Sequence, residues 1–505
     1  MSFFNSAKHF LWPIERWELK KFLPMTFMMF CILFNYNALR SIKDSLVVPN
    51  IGAEAINFIK FYCVVPAAVI FMVVYAKMTN AMRAPKIFYI LCMFFLFFFL
   101  LFAFVLYPNQ NFFHPDELQL QILENSKINF LFFQLNAAHF KWFIRIYAKW
   151  TYALFYIIAE LWGSAMLMLS FWQFANHITS TDQAKRFYPM FGFLGNIALI
   201  IAGWVIKYLA TIQKTLYSDG IVSDSSMMIQ TMLTFMSLSI IVIMWLYNHM
   251  QVDVLTDPKY FTKRRKKNKP KLSITESFKV IFSSKYLGYI VILVFCYGMS
   301  INLVEGPWKS KVRELYPNTN DYAYFMGSLN QYTGVASMLF MIVGANFLSR
   351  FSWAKGAVIT PLIIFITGIG FFSFVVFDDL VFSYVAIFML VNPVFIAVYI
   401  GTIQNVFSKG IKYAFFDPTK EMAYIPIDDE LKTKGKAAVD VVGARLAKSG
   451  GAFIQASIFS FFPSANYNEI TPYLMVIFVV ICLIWLLDVS FLNRAYKKSL
   501  SKEEG

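Results

Sequence analysis

Long apolar runs separated by short polar segments are the dominant pattern along the chain. A helix needs about 20 apolar residues to cross a hydrocarbon core of about 30 Å. Stretches of this kind predict twelve transmembrane helices, at residues 22–39, 57–77, 87–107, 146–172, 187–209, 229–248, 286–304, 328–348, 357–377, 381–405, 437–462 and 473–492.

The predicted helices fall into two groups of six. The most polar stretch, VDVLTDPKYFTKRRKKNKPKLSITESFK, separates the sixth helix from the seventh. Two six-helix halves around a central site are the layout of major-facilitator-type transporters, so we predict an all-α membrane protein of this architecture. Its parts are a cytoplasmic amphipathic N-terminus (1–21), an N-terminal half (22–248), a basic cytoplasmic linker (249–285), a C-terminal half (286–492) and a cytoplasmic tail (493–505).

Composition excludes a water-soluble globule. Hydrophobic residues make up 58% of the 505 residues and charged residues only 15%, which leaves too little polar surface for a soluble protein. The five cysteines lie in apolar stretches at no shared spacing, which indicates neither a disulfide framework nor a metal site. We expect no cofactor.

The basic residues orient the predicted helices. Cytoplasmic termini would place most lysines and arginines on the cytoplasmic side, as the positive-inside rule requires. This bias also accounts for most of the net charge of +16. We interpret the KRRKKNKPK run as part of a cytoplasmic loop and not as a nucleic-acid site. The cytoplasmic set includes Arg83, Lys86, Lys185, Arg186, the run Lys263 to Lys271, Arg350, Lys355 and the segment Lys409 to Lys436.

Two cations in the eleventh predicted helix indicate an anion site. A charge at the bilayer centre costs about 2.5 to 3.5 kcal/mol, so it usually faces a polar cavity or a partner. Lys448 lies near the middle of this helix, and Arg445 lies one turn earlier on the same face. The alternative is a seam of small residues whose charges pair with Asp440 and Glu160. We favour the anion site, because a seam alone does not explain two intramembrane cations.

Further charges lie in or beside the fourth, first and seventh predicted helices. Glu160 is flanked by apolar residues, so we expect it to pair with a cation or to carry a proton, and the alternative is a purely structural ion pair. Arg40 and Lys43 follow the first helix, and Glu305 follows the seventh, as expected of a pseudo-symmetric transport path. For Lys309 and Lys311 we predict side chains that extend to the outer membrane surface instead.

The segment GARLAKSGG superficially suggests a phosphate-binding loop. That motif requires Gly-Lys-Ser/Thr after a Gly and four residues, but Ala447 precedes Lys448 and Val442 stands where the first Gly should be. Nucleotide hydrolysis at this segment is therefore disfavoured. The charges instead predict a transporter of an organic, phosphorylated anion, because Arg and Lys suit phosphate groups. Aromatic residues could stack on a ring, but the residues do not identify the base.

The blocks DPTKEMAYIP and KGKAA, with several shorter motifs, resemble the nucleotide transporter family, the ATP/ADP antiporters of obligate intracellular bacteria and of plastids. The resemblance covers about residues 12–495, and the DPTKEMAYIP and KGKAA blocks are its most specific parts. The other matching segments are RSIKDSLVV, AELWGS, FWQFANHIT, AKRFYPMFG, INLVEGPWKSK and GARLAKSGG.

The resemblance implies exchange of external host ATP for internal ADP by rocking of two halves, without hydrolysis. Family positions that matter for transport match at Lys43, Glu160, Glu305 and Lys448, and Arg445 is implied as a second phosphate ligand. With Arg40 these residues form the predicted substrate site. The base stays open, since paralogues carry GTP, UTP or CTP or import nucleotides with protons. Family members more often read GGRLGKSGG, so Ala444 and Ala447 add methyl groups here.

The remaining expectations concern location and gating. The lack of an import extension favours a bacterial inner membrane over a plastid inner envelope, with both termini cytoplasmic. Partners are expected to be ATP, ADP or other nucleotides, phosphate and the lipid bilayer, with no nucleic acid, and the protein is expected to be a monomer. The segment between helices ten and eleven is either a solvated loop or an inner gate. The gate would use Lys420, Glu421, Asp428, Asp429 and Lys436.

Overall fold

The computed structural model describes residues 14–124, 126–130, 133–218, 226–257, 260, 284–377, 392–427, 439 and 444–503. Within these ranges, eleven helices are long and apolar enough to cross a membrane. Apolar runs adopt helices in a bilayer because helices satisfy their own backbone N–H and C=O groups. They are α1 (Arg16–Asn50), α2 (Ala55–Ala81), α3 (Ala84–Leu106), α4 (Trp150–Ile178), α5 (Asp182–Ser218), α6 (Met227–Val254), α7 (Lys285–Leu315), α8 (Thr319–Arg350), α9 (Trp353–Val376), α10 (Pro393–Ala423) and α12 (Tyr467–Ser499).

The remaining long helix, α11, spans Ala444–Phe461 and packs against α7 and the start of α2. Arg445, Lys448 and Gln455 make it less apolar than the other eleven. Close packing against α7 compensates for the lower hydrophobicity of α11. A Cβ atom on Gly298 of α7 would lie only 2.6 Å from the Cβ atom of Ala447. The predicted architecture of about twelve helices in two halves is therefore confirmed for the part of the chain that is described.

The helix α10 differs from its prediction. The sequence predicts a span at 381–405, whereas the described helix runs from Pro393 to Ala423. Gln404, Asn405 and Ser408 suggest a helix end by their polarity, but they are buried against neighbouring helices. Lys409 and Lys412 therefore lie inside the helix, beyond the predicted end of the span at residue 405. The helix also includes Lys420 and Glu421, which form an ion pair at 3.6 Å, whereas Asp428, Asp429 and Lys436 lie outside the described residues.

The start of α1 is anchored by charged side chains. The carboxylate of Glu18 is fully buried and accepts hydrogen bonds from both terminal nitrogens of Arg186, at 2.6 and 2.7 Å. Lys21 is also buried and donates to the Tyr260 carbonyl at 3.1 Å. The end of the predicted amphipathic segment is thus the beginning of α1, while residues 1–13 lie outside the described ranges.

Short elements connect α3 to α4. They include the helices Glu117–Glu124 and Lys141–Ala148, and an antiparallel hairpin of β1 (Lys127–Phe130) and β2 (Phe133–Asn136) in which Lys127 pairs with Asn136. The hairpin was not predicted by the sequence pattern. His114 of this connection is buried and its Nε2 lies 2.7 Å from Oγ1 of Thr151.

Two ends of the bundle are distinguished here by α1. The proximal end is the end at which α1 begins, and the distal end is the one at which it finishes, at Asn50. Successive membrane helices run in opposite directions, and the described ranges contain twelve long helices, so α1 begins and α12 finishes at the proximal end.

Polar contacts join the two halves at the distal end. Asn57 Nδ2 donates to the Tyr467 hydroxyl at 2.7 Å, and Arg313 donates to the Pro49 carbonyl at 3.2 Å. Lys214 at the end of α5 pairs with Asp321 at the start of α8, at 3.3 Å. These residues lie near helix ends or in distal connections, so the halves meet closely at that end.

The helices α5 and α8 also cross with their backbones in contact. A Cβ atom on Gly327 would lie 2.8 Å from the carbonyl oxygen of Gly203, and one on Gly203 would collide with the carbonyl oxygen of Gly327. Only glycine permits so close an approach of two helix backbones.

Candidate functional site

A buried ion pair joins α1 to α7 near the distal end. Lys309 Nζ lies 2.9 Å from Asp44 Oδ2 and 3.0 Å from Glu305 Oε1, which is one turn earlier in α7. The Lys309 side chain is only 3% exposed and that of Asp44 2%. Lys309 therefore does not extend to the membrane surface as predicted, because a carboxylate from the other half neutralises it inside. Lys311 is likewise buried and pairs with Glu314 at 3.0 Å.

Glu305 receives a second cation from the opposite half. Lys60 of α2 lies 3.3 Å from Glu305 Oε2 and 3.5 Å from the amide oxygen of Asn302. Lys60 belongs to the π-helical turn Ile59–Val64, a distortion that often marks functional positions in helices. Asp44, Lys309, Glu305 and Lys60 thus form a chain of alternating charge that crosses between the halves twice.

Lys43 and Glu160 form an ion pair within the N-terminal half. Lys43 Nζ contacts Glu160 Oε1, and the same ammonium lies 3.9 Å from the ring centre of Tyr156. Glu160 thus has an ion-pair partner in α1, as one of its predicted roles requires. Lys43 is 8% exposed and Glu160 36%, so the pair borders on accessible space.

Arg40 and Lys409 differ from these cations. Within the described residues, neither forms an ion pair or a hydrogen bond. Both are half-buried, and both interact electrostatically with Glu305 and with Asp44 from a distance. They lie on α1 and α10, one on each half, so an anion that bridges the halves would find an available cation on each side.

Arg445 and Lys448 lie in the first turns of the described part of α11. Their side chains are outside the described part of the structure, so their predicted roles as anion ligands stay predictions. The backbone packing predicted for the same helix is present, since Ala447 is buried and Gly451 lies against Asn302 of α7. Asp440, the alternative partner of these cations, is also outside the described residues.

Four charged residues of the cluster were missed by the sequence analysis, or assigned elsewhere: Asp44, Lys60, Lys309 and Lys409. Lys60 lies inside the predicted span 57–77, so the cost of an intramembrane charge already marked it. Asp44 neighbours Lys43, but its partner lies more than 260 residues away in sequence. No local pattern indicates such a contact.

The arrangement is suited to binding a multivalent anion between the halves. The described cluster contains five cations (Arg40, Lys43, Lys60, Lys309 and Lys409) and three carboxylates (Asp44, Glu160 and Glu305). Excess positive charge in a membrane interior requires an anionic partner. Guanidinium and ammonium groups both bind phosphate, the first in bidentate fashion and the second as a point charge.

Comparison with known proteins gives full-length sequence relatives. The chain is 47% identical to "ADP,ATP carrier protein 1" of Rickettsia bellii (strain RML369-C) over 506 aligned positions, covering 100% of this chain and 98% of the relative. It is 48% identical to the protein of the same name from Rickettsia typhi (strain ATCC VR-144 / Wilmington), with the same coverage. Identity to "ADP,ATP carrier protein 3" of R. bellii is 46%, covering 98% of each chain.

Solved structures share the fold at low sequence identity. A bacterial homologue of the iron transporter ferroportin in an inward-facing state superposes with a TM-score of 0.60 at 11% identity, covering 95% of this chain and 99% of the other. A D-xylose-proton symporter gives 0.53 at 12% identity, covering 93% and 96%. The family model described as TLC ATP/ADP transporter matches residues 1–496. The chain belongs to the TLC ATP/ADP transporter family.

Proposed function

We propose that this protein is a nucleotide antiporter that exchanges external ATP for internal ADP by alternating access, without hydrolysis. Membership of the family and full-length relatives named ADP,ATP carrier protein support this function. The observation that carries it is the cationic cluster between the halves, where Arg40 and Lys409 have no carboxylate partner in the described chain. A nucleotide would supply the missing negative charge.

The substrate site comprises Arg40, Lys43, Glu160, Glu305, Arg445 and Lys448. Arg445 and Lys448 contact the phosphates, together with Arg40. Glu160 holds Lys43, with which it forms an ion pair, and Glu305 holds cations from both halves. The carboxylates hold these lysines in place while the site is empty.

The distal end is the external end, and both termini are cytoplasmic, in a bacterial inner membrane. The basic linker 249–285 would then join the halves 22–248 and 286–492 on the cytoplasmic side, with segments 1–21 and 493–505 there too. The positive-inside distribution of lysine and arginine supports this orientation. The cross-half contacts at the distal end then mean that the external entrance is closed. The protein functions as a monomer, since a single chain supplies both halves of the path.

Nucleotide hydrolysis is not part of the proposed function. Phosphate-binding loops surround phosphates with backbone N–H groups of a turn before the helix. Here the residues from Ala444 through Lys448 are already helical, and Ala447 stands where the motif needs the glycine before its lysine.

The direct test is labelled ATP uptake into proteoliposomes loaded with ADP. Uptake should be saturable, should depend on internal ADP and should survive a protonophore. Unlabelled GTP, UTP, CTP and phosphate supplied outside would identify any other substrates. Uptake into empty vesicles that collapses with the proton gradient would instead indicate a proton-coupled importer, and phosphate release by purified protein would indicate an enzyme.

A further inference from the structure

Among the described paired lysines of the buried cluster (Lys43, Lys60 and Lys309), Lys60 is the one that would lose its carboxylate partner when the distal end opens. It lies on α2, in the N-terminal half, and its carboxylate partner Glu305 lies on α7, in the C-terminal half. Lys43 keeps Glu160, because α1 and α4 belong to the same half. Lys309 keeps Glu305, because both lie on α7, 3.0 Å apart. Separation of the halves therefore leaves Lys60 without its partner.

Among the described residues of the N-terminal half, no carboxylate lies within ion-pair distance of Lys60, and Asp44, which opening would free from Lys309, does not pair with it. Its electrostatic neighbours are Glu305 and Lys309 from α7, and Lys43 and Glu160 from its own half. Glu160 is already paired with Lys43. An ammonium group left in this position would be partly buried, with a like charge beside it, so an anion is needed to complete the site.

The cavity between the halves beside Lys60 is too small for that anion. The cavity bounded by Lys60, Asn302, Glu305, Lys309 and Tyr467 measures only about 10 Å³. That is about the space that one water molecule requires, and a phosphate group is larger. This cavity therefore admits an anion only after the halves separate.

We propose that Lys60 binds a phosphate group of the nucleotide that enters from the distal face. In the closed state the carboxylate of Glu305 pairs with the ammonium group of Lys60. In the open state a phosphate group of the nucleotide takes the place of that carboxylate. This assignment rests on the proposed function and adds a ligand that acts on one face only. Lys60 is thus a substrate ligand in one state and a partner of Glu305 in the other.

The test uses Lys60→Gln in right-side-out and inverted membrane vesicles loaded with ADP, with labelled ATP supplied at the outer surface. Loss of a charge-assisted hydrogen bond should raise KM at the distal face roughly tenfold. At the proximal face KM should stay within about twofold of wild type, because Lys60 is proposed to contact the nucleotide on the distal face only. A tenfold change corresponds to the loss of one such contact. Lys60→Arg should show a smaller rise on the same face.

A role in closure alone predicts the opposite sign. Without the Lys60 contact to Glu305 the closed state is weakened, the distal-open state is more populated, and KM at the distal face falls. A fall, no change, or an equal rise at both faces would overturn the proposal. Where Lys60→Gln fails to reach the membrane, the KM ratio of Lys60→Arg between the two faces decides by the same criteria.

Lys214→Gln is the matched control. Lys214 also pairs across the halves at the distal end, with Asp321 at 3.3 Å, but its side chain is 73% exposed. Its loss should leave KM unchanged at both faces. Absence of ADP-dependent uptake by the wild-type protein would reject the proposed function itself, which separates that failure from a failure confined to Lys60.

Discussion

Lys309 and Asp44 form a buried ion pair between helices of different halves, with 2.9 Å between Nζ and Oδ2. Opening of the distal end must break this pair. Its two members are not equally supported, because Lys309 also contacts Glu305 at 3.0 Å, whereas Oδ1 of Asp44 has no hydrogen-bond partner among the described residues. Removing one partner therefore has a different consequence from removing the other.

Lys309→Met is expected to destabilise the protein more than Asp44→Asn. Loss of the lysine leaves a buried carboxylate unpaired, which costs about 3 to 5 kcal/mol. Loss of the Asp44 charge leaves Lys309 paired with Glu305, so the cost should be smaller. Melting temperatures of the two variants in the same detergent measure the difference. An equal or larger loss for Asp44→Asn would contradict the asymmetry.

Lys448→Ala is expected to abolish nucleotide exchange without unfolding the protein. The change removes a proposed phosphate ligand and leaves no charge behind at that position. Uptake of labelled ATP into ADP-loaded proteoliposomes measures the loss, and a melting curve checks the fold. Lys497→Ala, on the exposed surface of α12, is the control. Transport by Lys448→Ala at the wild-type rate would show that the anion site is elsewhere.

Lys409→Gln is expected to reduce exchange at low substrate concentration roughly tenfold, because one charged contact to phosphate is lost. No ion pair is broken, so the melting temperature should stay within about 2 °C of wild type. Lys412→Gln, a change three residues later in α10, tests whether the effect is specific to Lys409. It removes a pair with Asp417 at 3.3 Å and should preserve exchange. Equal transport losses in the two variants would reject a distinct role for Lys409.

Protonation of His114 is expected to destabilise the connection between α3 and α4. Burial, and to a lesser extent Lys149, lowers the pKa of His114 to about 4. The unfolded chain would titrate near 6.5, so it binds more protons than the folded chain between these values. Stability is fully present above about pH 6.5 and declines as the pH falls towards 4. Melting temperatures from pH 7.5 to 5 should fall less steeply for His114→Gln than for wild type.

The sequence predicted the positions of the helices and the charged residues of the site better than it predicted which charged residues form ion pairs. Apolar runs locate membrane helices because the bilayer imposes their length. Lys43, Glu160 and Glu305 were identifiable because charge is rare in such runs. The partner of Lys309 was not, since Asp44 lies on the first helix and only the assembled halves bring the two together. The end of α10 was misplaced because burial against other helices hides the polarity of Gln404 and Asn405.

The contact between Gly203 and Gly327 would be the pivot of the rocking motion, and the parts of α8 on the two sides of this pivot differ in length. Gly327 lies about 12 Å along α8 from Thr319, but about 35 Å from Arg350, at 1.5 Å per residue. Each degree of rotation about this point would move the proximal end about 0.6 Å and the distal end about 0.2 Å, from the same helix lengths. Spin-label distances across α5 and α8 should therefore change about three times more at the proximal end, in proportion to the two lengths of α8 measured from Gly327. A small closure at the distal end would thereby be amplified into a wide opening at the proximal end.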